Sequence, residues 1–217
     1  MHILAVSDIH GAYARVDQIL EREQDADLLV VAGDLTTFGS QAEARSALEG
    51  FGKHGIPLVA VAGNMDPPPL EETFSQLGVG IDGRGVSVGD VGLFGVSAAP
   101  HSFLHTPYER AEGTLLERAE AGWQDVASCR WKIFVPHAPP ANTALDRIHS
   151  GRHVGSTAIR EFVERRAPDV LICGHIHEAR GRDHLGTTIL ANCGSASHGY
   201  YAIVTVGETI DVELRQL

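Results

Sequence analysis

The sequence predicts an α/β fold in which two packed mixed β-sheets are flanked by helices. Two observations carry that expectation. Short apolar runs alternate with stretches of helical spacing through much of the chain, the pattern of crossover units and parallel strands. Elsewhere, consecutive strand-like runs are joined by Gly-containing turns, the pattern of antiparallel pairs.

Taken in order, Ile3 to Val6 is the first strand, and Ala12, Val16, Ile19 and Leu20 then fall on one helical face. Leu28 to Ala32 is a second strand. Ser40 and Glu43 form a capping box ahead of Ala44, Ala47, Leu48 and Phe51, which predicts a second helix. After the strand Leu58 to Ala62 comes Pro67-Pro68-Pro69, a run expected to stiffen the chain as polyproline. Gly85 to Val88 and Val91 to Val96 follow as strands.

Thr106, Pro107 and Glu109 make an N-terminal signature for a helix reaching about Trp123, although Gly113 weakens it or splits it in two. Lys132 to Val135 and Val170 to Cys173 are strands on either side of a helix. That helix starts near Ser156, buries Ile159, Phe162 and Val163, and ends before Pro168. Thr187 to Leu190, Tyr201 to Val206 and Ile210 to Leu214 complete the strands. Val31-Ala32-Gly33-Asp34 and Val61-Ala62-Gly63-Asn64 are alike, but too briefly to make an internal repeat.

At 217 residues the chain can bury one sizeable core, and no polar or repetitive linker divides it, so residues 1–217 are expected to form a single domain. Its 43% hydrophobic and 21% charged composition fits neither disorder nor a membrane span. Met1 leads directly into a short apolar run without a basic n-region, which suggests a cytoplasmic protein. Cys129, Cys173 and Cys193 have no CxxC spacing and leave an odd count, as reduced structural thiols would. The net charge of −11 disfavours a long nucleic acid and leaves small phosphate-containing substrates as the better partners. Oligomeric state is not legible.

The chemistry sits where the strands end. Asp8 and His10, Asp34, Asn64, His137, and His175 and His177 each follow closely on an apolar strand, so five strand ends present candidate ligands. In parallel sheets such ends share one crevice. Asp8-Ile9-His10 and His175-Ile176-His177 have the spacing of a pleat, which would turn both polar side chains one way and each isoleucine toward the core. Imidazole and oxygen donors without thiolate suit manganese, iron, cobalt, nickel or zinc better than calcium.

These blocks, DIH, GD, GN, PH and GHIH in that order over residues 8 to 177, resemble the calcineurin-like metallophosphoesterase family. The resemblance implies a four-layer αββα sandwich holding two divalent transition-metal ions. One would be bound by Asp8, His10, Asp34 and His177, the other by Asp34, Asn64, His137 and His175, with Asp34 as the bridge. Asn64 and His137 would also meet the substrate phosphate. The implied activity is hydrolysis of small phosphate esters by a hydroxide bridging the ions, with in-line attack on phosphorus.

Many relatives carry a histidine directly after GN, where it can protonate the leaving group. Here that position is Met65, which cannot. Resemblance to members lacking this histidine makes phosphodiesters the leading substrate class, with good leaving groups favoured. His101 and His105, on a loop after a strand, are candidate replacements as general acid. His198, beside Gly199 in a late glycine-rich turn, is a candidate substrate contact. Asp66 either orients a ligand or begins a turn. His2, His54, His149, His153 and His184 are expected to be structural or surface residues. The rival functions are a non-catalytic scaffold on the same fold and a nuclease.

Overall fold

In the computed structural model, which describes residues 1–217, an apolar run becomes a strand wherever both of its faces can be buried. The strands are β1 (His2–Val6), β2 (Leu28–Ala32), β3 (Leu58–Val61), β4 (Gly85–Val88), β5 (Val91–Val96), β6 (Ala99–Pro100), β7 (Glu109–Arg110), β8 (Trp131–Pro136), β9 (Val170–Cys173), β10 (Gly181–Leu185), β11 (Thr188–Asn192), β12 (Tyr200–Val206) and β13 (Ile210–Gln216). The helices are α1 (Tyr13–Arg22), α2 (Gln41–Gly52), α3 (Leu70–Gln76), α4 (Glu112–Val126) and α5 (Thr157–Arg166). None is long and apolar enough to cross a membrane.

One sheet has the order β13-β12-β1-β2-β3, with β1, β2 and β3 mutually parallel, β12 antiparallel to β1 and β13 antiparallel to β12. The second has the order β10-β11-β9-β8-β5-β4, parallel through its four central strands and antiparallel at both edges. Both sheets are therefore mixed, an arrangement that accommodates the two sequence patterns.

Alternate residues of each central strand enter different cores. Ile3 and Ala5 of β1 pack with Ile133, Val170 and Ile172 between the sheets. Leu4 and Val6 turn the other way, onto Val16, Ile19, Leu48, Phe51 and Phe74 of the helices. On the far side Phe94, Phe134 and Phe162 join the second sheet to α4 and α5, with Phe94 and Phe134 stacked at 4.7 Å. Burial on both faces explains why β1 and β2 are nearly continuous apolar runs rather than alternating ones.

At α2 only the serine half of the expected capping box forms, because the Glu43 carboxylate accepts instead from the Tyr13 hydroxyl at 2.8 Å. The Ser40 hydroxyl accepts from the Glu43 N–H at 3.1 Å, and Ser156 accepts from Ile159 at 3.1 Å. Three other local expectations are corrected. Thr106-Pro107-Glu109 does not start a helix, because Glu109 lies in β7 and its carboxylate accepts from Ser102 and Thr106. Helix α4 starts later, at Glu112, and runs unbroken to Val126; Gly113 falls in its first turn, where it interrupts nothing. Pro67-Pro68-Pro69 is not polyproline: the N–H groups of Leu70, Glu71 and Glu72 donate to the carbonyls of Pro67, Pro68 and Pro69 and lead into α3. Proline is tolerated there because the start of a helix needs no N–H from it. Strand β10 was not foreseen; as a polar edge strand it lacks an apolar signature.

Candidate metal centre

Loops from the C-terminal ends of β1, β2, β3, β8 and β9 bring Asp8, His10, Asp34, Asn64, His137, His175 and His177 to one place. Strands of both sheets contribute, so the site spans the edge of the sandwich. The paired blocks are turns rather than pleats. Asp8, His10, Asp34 and His175 have φ of 54°, 50°, 51° and 69°, in the left-handed region that few non-glycine residues adopt. The turns interlock: Ile9 and His10 both donate their N–H to the Asp34 carbonyl at 2.9 Å. Ile9 and Ile176 are buried, as expected.

On one side, Asp8 Oδ1 lies 3.2 Å from His177 Nε2, which is 3.4 Å from His10 Nε2. On the other, Asn64 Oδ1 lies between His137 Nε2 at 3.0 Å and His175 Nδ1 at 2.7 Å. Asp34 Oδ2 stands between the two sides, 3.7 Å from His10 Nε2 and 3.5 Å from His137 Nε2. Donor atoms of Asp8, His10 and His177, and separately of Asp8, Asp34 and His137, converge within 4.8 Å of one another, close enough to share an ion. Asp8 thus reaches both groups, whereas the resemblance assigned it to one.

Residues around these donors fix their direction. The His137 Nδ1 faces the Ala32 carbonyl at 2.9 Å, which leaves Nε2 for the site. His10 Nδ1 faces Thr37 Oγ1 at 3.0 Å, with the same consequence. Buried Asp66 accepts from the N–H groups of Leu35, Thr36 and Gly63 and from the Thr36 hydroxyl. It therefore ties the Asp34 loop to the Asn64 loop, while its own N–H donates to the Gly63 carbonyl within a turn. Ser195 Oγ donates to the Asp8 carbonyl at 2.7 Å, and Asn192 Nδ2 donates to the Ile176 carbonyl at 2.9 Å. Thr37, Asn192 and Ser195 carried no signal beyond being polar residues near Gly-containing turns. Close packing also needs glycine: a Cβ on Gly63 would strike the Asp34 carboxylate, and one on Gly174 would strike Ser7 and Asp8.

The electrostatics suit cations. Burial would raise Asp8, but the His177 hydrogen bond and the charge on His137 outweigh it and hold the carboxyl below its ordinary value. Burial would lower His137, yet Asp34 and Asp8 hold it above the ordinary histidine range. His175 is pushed down to about 4 by burial and by His137. Buried carboxylates, an amide oxygen and inward-facing imidazoles, with facing Nε2 atoms on His10 and His177, make a donor set that fits divalent transition metals.

The calcineurin-like phosphoesterase family matches residues 1–179. The chain belongs to that family. Among relatives, an uncharacterized protein of Methanocaldococcus jannaschii is 29% identical over 205 residues, covering 93% of this chain and 91% of its own. The 3′,5′-cyclic adenosine monophosphate phosphodiesterase of Escherichia coli is 26% identical over 193 residues, covering 87% of this chain and 68% of its own. A Thermus thermophilus crystal structure shares the fold with a TM-score of 0.77 at 17% identity, covering 99% of this chain and 98% of that one. The family is metal-dependent, and this phosphoesterase presents the residues to hold metal.

Over the metal-ligand candidates lies a cavity of about 420 Å³, lined in part by His10, Asp34, Asn64, His175 and His177. Met65 lines it beside Asn64. His101 also lines it, with a largely exposed ring whose Nδ1 is 3.7 Å from Glu109 Oε2. His105 and His198 are not among its lining residues. His198 is exposed on a short turn that Gly199 closes in a left-handed conformation, and its ring lies 6.4 Å from that of Tyr200. What that turn contributes to the site is Ser195. Outside the cavity, His153 is half-structural, with Nδ1 2.6 Å from buried Asp146.

Proposed function

We propose that this phosphoesterase hydrolyses small phosphate diesters with the help of two divalent transition-metal ions. Asp8, His10, His177 and Asp34 would hold one, and Asp34, Asn64, His137 and His175 the other. When bound, such ions acidify a water to a pKa of roughly 7 and stabilise charge developing on phosphorus.

The chain's own part is placement. Asp34 offers Oδ2 toward both groups, while Oδ1 accepts the Met65 N–H at 2.7 Å. Asn64, which lines the cavity, and buried His137 behind it would orient a phosphate oxygen. The diester reading rests above all on Met65, which lines the cavity with a thioether where a proton donor would otherwise stand. A missing general acid costs on the order of 10²- to 10⁴-fold with poor leaving groups, so substrates that leave without a proton are favoured. Likeness to the Escherichia coli phosphodiesterase supports the same reading.

The test is metal analysis joined to hydrolysis of a panel of mono- and diesters. Bound transition metal and at least roughly tenfold higher kcat/KM on aryl diesters than on the matching monoesters is expected. A monoester preference would overturn the diester assignment. Neither metal nor turnover would instead make the chain a scaffold, and cleavage of long single- or double-stranded nucleic acid in a gel assay would make it a nuclease.

A further inference from the structure

The loop from His101 to Thr106 is braced from within by Glu109. Its carboxylate accepts from the Ser102 N–H and hydroxyl at 3.1 and 2.7 Å and from the Thr106 N–H and hydroxyl at 3.0 and 2.9 Å. The brace leaves Phe103 and Leu104 at the tip, 77% and 67% exposed, and both line the cavity over the metal centre. Met65, Ile148, Val154 and Ile176 line it as well. Two large apolar side chains held in water on an anchored loop are unfavourable by themselves and mark a surface that a ligand covers.

The hydroxyls of this wall are already engaged, and the His101 ring is largely exposed to solvent beside Glu109. The Ser102 and Thr106 hydroxyls donate to Glu109, and no lysine or arginine lines the cavity. A second phosphate would meet neither lysine nor arginine and, outside the metal-ligand candidates, only the exposed His101 ring, and a polyol would be desolvated against apolar carbon. An aromatic group would stack or pack on the same surface with gain.

We infer that this cavity is an apolar subsite that selects phosphate esters by a large apolar or aromatic organic group bearing no further phosphate, with Phe103 and Leu104 as specificity-determining residues. The inference rests on the phosphoesterase reading above and adds the identity of the group that the ester carries.

Calorimetry on the manganese-loaded protein tests it with diphenyl phosphate and dimethyl phosphate, which share one charge and differ in apolar surface. The diphenyl ester should bind at least roughly thirtyfold more tightly, and a Phe103→Ala/Leu104→Ala double variant should reduce that ratio about tenfold. Phe103→Ala alone should give part of the reduction, and melting curves should confirm folding of both variants. Equal binding of the two esters, or a ratio unchanged in folded variants, overturns the subsite. Turnover of bis(para-nitrophenyl) phosphate and methyl para-nitrophenyl phosphate separates the two readings. No turnover on either, with the binding ratio intact, defeats the hydrolase reading and leaves the subsite standing. Turnover with equal kcat/KM on both defeats the subsite and leaves the hydrolase standing.

Discussion

The backbone N–H of Met65 donates to Oδ1 of Asp34 at 2.7 Å. The contact orients the carboxylate, so that Oδ2 faces both His10 and His137. A single oxygen, rather than one oxygen for each side, is thereby placed between the two halves of the metal centre. Met65, whose thioether lines the cavity and carries no proton to donate, thus also positions the bridging candidate through its main chain.

Asp34→Asn should remove the charge that both halves share. Metal content is expected to fall by about half or more and turnover by on the order of 10³-fold, measured by elemental analysis and steady-state kinetics. Full metal content in the variant would remove Asp34 from the bridge.

Met65→His should restore a proton donor beside the leaving group. Turnover of esters with poor leaving groups is expected to rise roughly 10- to 100-fold, with a new acidic limb in the pH-rate profile, while aryl esters change little. Equal gains on both classes would show that the side chain acts otherwise than as an acid.

Asp66→Asn should turn an NH₂ group toward donors that now find a carboxylate. The expected loss is about 1–3 kcal/mol, or roughly 2–4 °C of Tm per kcal/mol, together with weaker metal binding. A variant that melts normally and binds metal normally would show that the two ligand loops do not depend on this clasp.

Glu71 supplies a pH dependence outside the metal centre. Its Oε1 is buried without a hydrogen-bond partner, and burial together with nearby Asp82 pushes the carboxyl from 4.5 up to about 7. Folding therefore favours the protonated form. The contribution is fully present below about pH 4.5 and is lost as pH rises through about 7, by on the order of 1–3 kcal/mol. Glu71→Gln keeps a neutral group at every pH. Its stability relative to the parent should rise between pH 5 and 8 in denaturant titrations, and parallel curves would refute the assignment.

Much of the site was legible because each ligand block closely follows a buried apolar strand. Leu28 to Ala32 ahead of Asp34 is the clearest case, since apolar continuity marks a central parallel strand and parallel strands deliver their ends to one edge. The clasps were less legible. Asp66 meets Leu35 and Thr36 from about 30 positions away, and Ser195 meets Asp8 from the other end of the chain. Such contacts leave no local periodicity. The signature at Thr106 misled for a related reason, because Glu109 satisfies loop donors as readily as it would cap a helix.

By itself, the sequence determined the layered α/β architecture, the order of the central strands along the chain, the seven candidate metal ligands and the absence of histidine at Met65. Only the tertiary structure decided that Asp8, His10, Asp34 and His175 sit in left-handed turns, that Asp34 presents one oxygen to both halves, and that Phe103 and Leu104 rim the cavity while His198 does not line it. The division follows from range. Strand burial and residue type are set within a few neighbours, whereas side-chain direction at a site is set by groups that meet only after the sheets have packed.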